Sequence, residues 1–131
     1  MSLNQLQNLL HDSLIATGHV EQCAVIKRKD SSIKATSIGY AVDADECRKL
    51  VAAFKSPSSL RETGLVFGDV RYECVRADRT SIYAKSKSRG GLIATKTATF
   101  VVTATYSATM TPSVCVDAVE RLASYFRDKS K

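Results

Sequence analysis

The chain has 131 residues, of which 44% are hydrophobic and 24% are charged, and its formal net charge is +6. These ordinary globular values exclude wholesale disorder, and the length predicts a single domain over residues 1–131. The positive charge is concentrated, because residues 27–34 hold four cations and one acid while residues 85–96 hold four cations and no acid. Such segments are typical of a surface that attracts phosphates.

The four cysteines, Cys23, Cys47, Cys74 and Cys115, are widely spaced and form no C-x-x-C pair. This spacing argues against a structural zinc site, and we predict neither a metal nor a cofactor. No apolar run approaches the roughly 18 residues of a membrane span. The N-terminus also lacks the charged and apolar regions of a secretory signal. We therefore expect a soluble cytoplasmic protein with reduced, buried thiols.

The first part of the chain predicts a helix followed by a hairpin. Leucines recur at helical spacing over Leu3–Leu14, Ser2 can cap this helix, and Gly18 ends it. Strands are predicted over Gln22–Arg28 and Ile33–Ile38, on either side of a polar turn.

A second helix is predicted after the hairpin. Asp43 and Glu46 have capping-box spacing, and the helix is expected to run through Phe54. Residues 55–59 are expected to break it, because Pro57 disfavours helix at the residue before it. A short strand over Gly64–Phe67 follows.

The stretch over residues 71–106 predicts the core of an antiparallel sheet. Its strands are Arg71–Arg76, Ser81–Lys85 and the long tract Leu92–Tyr106, which a turn near residues 97–98 folds into two. Residues 78–79 form one tight turn. The turn at residues 89–91 contains two glycines, which tolerate positive φ.

A last helix is predicted from Thr111, which can act as its cap, with Pro112 at its first position. The order of elements indicates an α+β fold, with terminal helices stacked on a mostly antiparallel sheet.

The residues give little support to catalysis. The chain has no G-x-S-x-G, Walker A or G-x-G-x-x-G motif. Strand alternation predicts that Cys74 and Arg76 share a face, which could activate the thiol, but neither histidine is near in sequence to act as a base. Tyr72 and Tyr83 could stack on bases near cations, yet their apolar neighbours favour the core. We predict a non-enzymatic protein that binds no nucleic acid.

Several blocks of the sequence resemble the profilin family from end to end. They are CVRADRTSIYAK at residues 74–85, TKT at 95–97, Tyr106, and TPSVCVDAVERLASYF at 111–126. The blocks CVRAD, YAK, ATY and PSVCV are similar to a divergent, testis-type branch of the family. The resemblance implies an antiparallel sheet with the N- and C-terminal helices packed on one face and short helices on the other.

The resemblance also implies three ligands, namely monomeric actin, proline-rich peptides and phosphoinositides. Aromatic rings line the family's proline-rich groove. Here its positions are occupied by Leu3, Leu6, Lys34 and Tyr125, so only one ring remains. We therefore predict that proline-rich ligands are no longer bound.

The family's actin face falls on the central strands and the start of the last helix. The matching candidates are Arg76, Lys85, Arg89, Lys96, Thr111 and Val114. The similar divergent branch implies weakened actin binding or none.

Anionic phospholipid is the ligand that the residues favour most. The candidate residues form one or two basic patches, and they are Lys27, Arg28, Lys29, Lys34, Lys85, Lys87 and Arg89. Each cation near an anionic membrane contributes on the order of 1 kcal/mol, so several together suffice for reversible attachment. We predict a monomeric, cytoskeleton-associated regulator that binds phosphoinositides. The alternatives are a conventional actin-monomer-binding member of the family, or ordinary solvated charges.

Overall fold

The computed structural model describes residues 2–129, and for Leu3 it describes the backbone alone. Within this part, the chain forms four α-helices and seven strands. In chain order they are α1 (Leu3–Ser13), a 3-10 turn (Ile15–Thr17), β1 (Gln22–Lys27), β2 (Ile33–Thr36), α2 (Ala44–Ala53), α3 (Pro57–Thr63), β3 (Leu65–Phe67), β4 (Val70–Ala77), β5 (Ser81–Lys85), β6 (Gly91–Lys96), β7 (Phe100–Tyr106) and α4 (Pro112–Lys129). The strands form one antiparallel sheet in the order β2-β1-β7-β6-β5-β4-β3.

Both faces of the sheet are covered, which confirms the predicted fold class. On one face, Leu10 of α1 and Val119 of α4 pack against Ile93 of β6 in one hydrophobic cluster. On the other, Leu50 of α2 and Leu60 of α3 belong to a second cluster. Because successive strand residues point to opposite faces, a strand covered on both sides needs apolar residues at consecutive positions. This requirement explains the dense apolar tract of β6 and β7.

The first helix begins as its sequence indicates, and the second does not. The Ser2 hydroxyl accepts the amide of Gln5, whose side chain in turn accepts the Ser2 amide at 3.0 Å. At α2, however, the Asp43 side chain makes no capping bond. Glu46 instead accepts the amides of Gly68 at 3.0 Å and Asp69 at 3.4 Å. The predicted capping box is therefore wrong, because a tertiary contact with the β3–β4 turn takes the carboxylate.

The segment that was predicted as a break contains an additional helix. The second helix does end near Phe54, but α3 starts at Pro57, its first residue. Proline is well suited to this position, since the first amide of a helix has no intrahelical acceptor. The short gap thus separates two helices that together cover the same sheet face.

A β-bulge in β4 overturns the predicted grouping of Cys74 with Arg76. The register between β4 and β5 shifts between these two residues, and Val75 is 65% exposed. After the bulge, Arg76 pairs with Tyr83 while Cys74 pairs with Ala84, so the two side chains lie on opposite faces. One extra residue on a strand reverses the sheet face to which each following side chain of that strand points.

The two glycines after the β5–β6 loop serve close packing rather than a turn conformation. Neither of them has positive φ. A Cβ added at Gly90 would lie 1.8 Å from the carbonyl oxygen of Tyr106, and one at Gly91 would lie 2.5 Å from that of Ala84. Their tolerance of positive φ is therefore not used here, and the close approach of neighbouring atoms is what excludes a side chain.

Candidate anion-binding surface

A cleft lined by cations lies at the end of the sheet where β1 ends and the β6–β7 turn begins. Its volume is about 400 Å³, and the C-terminal end of α2 forms its other wall. Among the described residues that line it, five are cationic and none is acidic. We call it the basic cleft, and the lining residues are Lys27, Arg28, Lys29, Val51, Phe54, Lys55, Lys96, Ala98 and Thr99.

Arg28 fixes the shape of the basic cleft. Its guanidinium donates to the carbonyl oxygens of Thr97 at 2.8 Å and Ala98 at 3.1 Å. Its backbone amide donates to the carbonyl of Thr99 at 2.9 Å. These bonds hold the β6–β7 turn against the end of β1, so the arginine is both a wall of the cleft and a structural clamp.

Lys96 is half-buried in the basic cleft, as are Lys27 and Arg28. Burial, followed by the positive charges of Arg28, Arg79 and Lys55, lowers the pKa of its amine. These three neighbours come from the end of β1, the β4–β5 turn and the end of α2. From the opposite face, Arg127 of α4 donates to the carbonyl of Lys96 at 2.9 Å. Residues distant in sequence thus surround Lys96.

The second group of predicted cations lies at the opposite end of β6. We call Lys85, Lys87 and Arg89 the basic loop. The Lys87 ammonium lies 3.6 Å from the carboxylate of Glu73, and Asp69 lines the same depression. The positive charge of the basic loop is therefore partly balanced by acids, unlike that of the basic cleft.

The predicted lipid-binding cations are thus brought together in part. Lys27, Arg28 and Lys29 share the basic cleft, whereas the basic loop is separate from it. Hydrogen bonds from Ser32, followed by the charges of Lys34 and Lys27, lower the pKa of Asp30. Lys34 lies on β2 and is not among the residues that line the cleft.

Sequence reasoning missed two cations of this surface, Lys55 and Arg79. Lys55 falls in the segment predicted only as a helix break, and Arg79 in a tight turn. Their approach to Lys96 depends on how α2 and the β4–β5 turn pack on the sheet. The runs of cations in the sequence do not indicate that Lys55 and Arg79 approach Lys96.

The candidates for the actin face are dispersed over several regions. The Arg76 guanidinium lies 5.9 Å from the centre of the Tyr83 ring and 3.9 Å from Asp78. Lys96 belongs to the basic cleft, and Lys85 and Arg89 belong to the basic loop. The other two lie near the start of α4, where the Thr111 amide donates to His19 Nδ1 at 2.9 Å and Val114 is 36% exposed.

The positions predicted for a proline-rich groove do not form an aromatic platform. Leu6 is buried in the core, Lys34 lies on β2, and the side chain of Leu3 lies outside the described residues. Tyr125 is 38% exposed and lines a groove between α1 and α4 with Leu9 and Val114. The Lys129 ammonium lies 5.5 Å from the centre of its ring.

The thiols offer no activated nucleophile within residues 2–129. Burial raises the pKa of Cys23 and Cys115 to about 12 and that of Cys47 to about 11. It also raises the pKa of Cys74, with Arg61 opposing the effect. These thiols therefore stay protonated at neutral pH.

Across residues 2–129, there is no cluster of metal-ligating side chains and no helix long and apolar enough to cross a membrane.

The sequence and the fold of the chain are both similar to those of known proteins. The family model described as Profilin matches residues 4–131. Mouse Profilin-4 is 44% identical over 128 residues, which cover 97% of this chain and 98% of that protein. This similarity agrees with the predicted likeness to a divergent branch.

Two solved structures are informative. The crystal structure of Acanthamoeba castellanii profilin II has a TM-score of 0.89 and 33% identity, and the match covers 95% of this chain and 98% of that one. The LokiProfilin1 complex with rabbit actin has a TM-score of 0.80 at 15% identity, with 98% and 97% covered, so it supports the fold alone. By its sequence and by its fold, the chain belongs to the profilin family.

Proposed function

We propose that the chain is a cytoskeletal regulator that binds anionic phospholipids, and phosphoinositides in particular, through the basic cleft. The observation that carries the proposal is the convergence of five cations, with no acid among the described residues lining the cleft. Membership of the profilin family confirms that the protein is not an enzyme. We propose that it acts by binding, where cytoplasm, cytoskeleton and membrane meet.

The cleft suits a phosphorylated headgroup better than the basic loop does. Arginine and lysine side chains bind phosphate oxygens through charge-assisted hydrogen bonds. Each cation near an anionic surface contributes on the order of 1 kcal/mol, and nearby carboxylates reduce that contribution. Because Lys87 lies 3.6 Å from Glu73, we propose that the basic loop makes the smaller contribution.

Co-sedimentation with vesicles tests this function. The full chain is expected to bind phosphatidylcholine vesicles containing a few per cent phosphatidylinositol bisphosphate, and not vesicles of phosphatidylcholine alone. Because screening strengthens as ionic strength rises, binding should weaken steeply between low and high salt. Equal binding to both kinds of vesicle, or no binding to either at low salt, would refute the proposal.

Conventional binding of monomeric actin is the second candidate function. The fold is that of LokiProfilin1, which was solved in complex with rabbit actin. One surface of this chain favours the candidate, since Val75 at the bulge of β4 is 65% exposed. The adjacent Arg76 guanidinium over Tyr83 would add a cation to an apolar contact.

A titration of fluorescently labelled monomeric actin at physiological salt distinguishes the two functions. We expect weak binding or none, whereas saturation at micromolar protein would identify a conventional member of the family. Proline-rich peptides are expected not to bind, because Tyr125 is the one aromatic ring among the described groove positions.

A further inference from the structure

We infer that Lys96 is an acylation site, whose ε-amino group takes the acyl group of a small acyl phosphate held by the cations of the basic cleft. An acyl phosphate joins a carbonyl group directly to a phosphate. A compact cleft can therefore hold the phosphate while the carbonyl carbon lies beside an amine. This inference goes beyond lipid binding, and only its regulatory consequence rests on the proposed function.

The surroundings of Lys96 supply the anion-binding half of the site. Arg28 and Lys55 line the cleft with it, and the cleft volume of about 400 Å³ is sufficient for a small phosphate ester or anhydride. Arg28 is already oriented by its bonds to the Thr97 and Ala98 carbonyls. The phosphate would therefore meet a guanidinium whose position is largely set before it arrives.

The same surroundings supply the nucleophile. A lysine amine attacks a carbonyl only when it is unprotonated, and neighbouring cations together with burial favour that form. Both apply to Lys96, whose pKa is lowered by burial and by Arg28, Arg79 and Lys55. Lys49 provides the contrast, because it is 71% exposed and its ammonium lies 3.2 Å from the Asp45 carboxylate.

The reaction is a simple acyl transfer. The lone pair of the Lys96 nitrogen attacks the carbonyl carbon, and the bond between that carbon and the bridging phosphate oxygen breaks. Inorganic phosphate leaves with the bonding electrons, and the amine loses one proton to the phosphate or to water. The product is a neutral amide, so the cleft loses one positive charge. The transfer requires no oxidant or reductant.

Acylation would also regulate the proposed lipid site. Removing one of five cations from the cleft lowers its attraction for an anionic surface, by about fivefold if that cation contributes about 1 kcal/mol. A charge-neutral Lys96→Gln variant should weaken vesicle binding to a similar extent, while Lys96→Arg should retain it.

Acetyl phosphate is the probe for the test. The full chain is incubated with it at neutral pH, and the acetylated fraction of each lysine is followed by peptide mass spectrometry. We expect Lys96 to react at least about fivefold faster than Lys49, since about 1 kcal/mol of attraction between the phosphate and the cations of the cleft raises the bound fraction about fivefold. Inorganic pyrophosphate should slow Lys96 and leave Lys49 unchanged. A Lys96 rate no faster than that of Lys49 would overturn the inference.

Two further comparisons separate phosphate recognition from general reactivity. Acetic anhydride carries no phosphate, so its preference for Lys96 over Lys49 should be smaller than that of acetyl phosphate. Lys55→Gln should slow the reaction at Lys96, whereas the matched Lys87→Gln, in the basic loop, should not. Equal preferences for both reagents, or equal effects of the two variants, would exclude an acyl phosphate site. These measurements use no lipid, so they stand even if the protein binds no vesicles.

Discussion

Reversing three cations of the basic cleft, with Lys27→Glu, Lys29→Glu and Lys55→Glu combined, is expected to reduce binding to phosphoinositide vesicles by about two orders of magnitude or more. Three cations at about 1 kcal/mol each give roughly 3 kcal/mol of lost attraction, and the new carboxylates add repulsion. Arg28 is left in place because it clamps the β6–β7 turn. The measurement is co-sedimentation at fixed ionic strength.

The basic loop provides a control with the same change in charge. Lys85→Glu, Lys87→Glu and Arg89→Glu together also replace three cations with three acids, at the other end of the sheet. This variant should weaken binding but keep the fold, and the loss should be smaller because acids already balance the loop. Unchanged binding would exclude the loop from the lipid surface. Equal losses from the two variants would mean that overall charge, and not the cleft, controls attachment.

Gly90→Ala is expected to destabilise the protein by about 3 kcal/mol or more, which is the upper range for forcing atoms into a packed site. The new Cβ would lie 1.8 Å from the Tyr106 carbonyl oxygen, and the nearest atoms all belong to the backbone of residues 106 and 107. A flexible side chain could move aside, but here the end of β7 must shift. Chemical denaturation gives the free energy of unfolding.

Gly39→Ala is the matched control. Gly39 has a φ of 78°, yet a Cβ added there would meet no atom within 4 Å. Only the left-handed backbone is penalised at this position, at about 1 kcal/mol. If the two variants unfold with similar free energies, the close approach of Gly90 to the Tyr106 carbonyl does not exclude a side chain as proposed.

Periodic features of the chain were predictable from the sequence. Consecutive apolar and β-branched residues predicted the strands over residues 22–28 and 92–106, and leucine spacing predicted α1. The turn at residues 97–98 was also predicted, and there the Thr97 amide donates to the Phe100 carbonyl at 2.7 Å. These signals are local, because side-chain direction in a helix or strand follows from position alone.

The features that were missed depend on contacts across the sheet. Glu46 serves the β3–β4 turn instead of its own helix, and the bulge at Val75 moves Arg76 to the opposite face. The candidate anion-binding site was predictable only as two runs of cations in the sequence. The sequence could not indicate that Lys55 joins Lys96, nor that Glu73 partly neutralises Lys87, because both depend on tertiary packing.

The most direct test of the basic cleft is to map amide chemical shifts by nuclear magnetic resonance during titration with a soluble, short-chain phosphatidylinositol bisphosphate. The largest shifts are predicted at residues 27–29, at Lys55 and over residues 96–99, with smaller shifts over residues 85–89. Shifts confined to the basic loop, or their absence at saturating lipid, would contradict the proposed site.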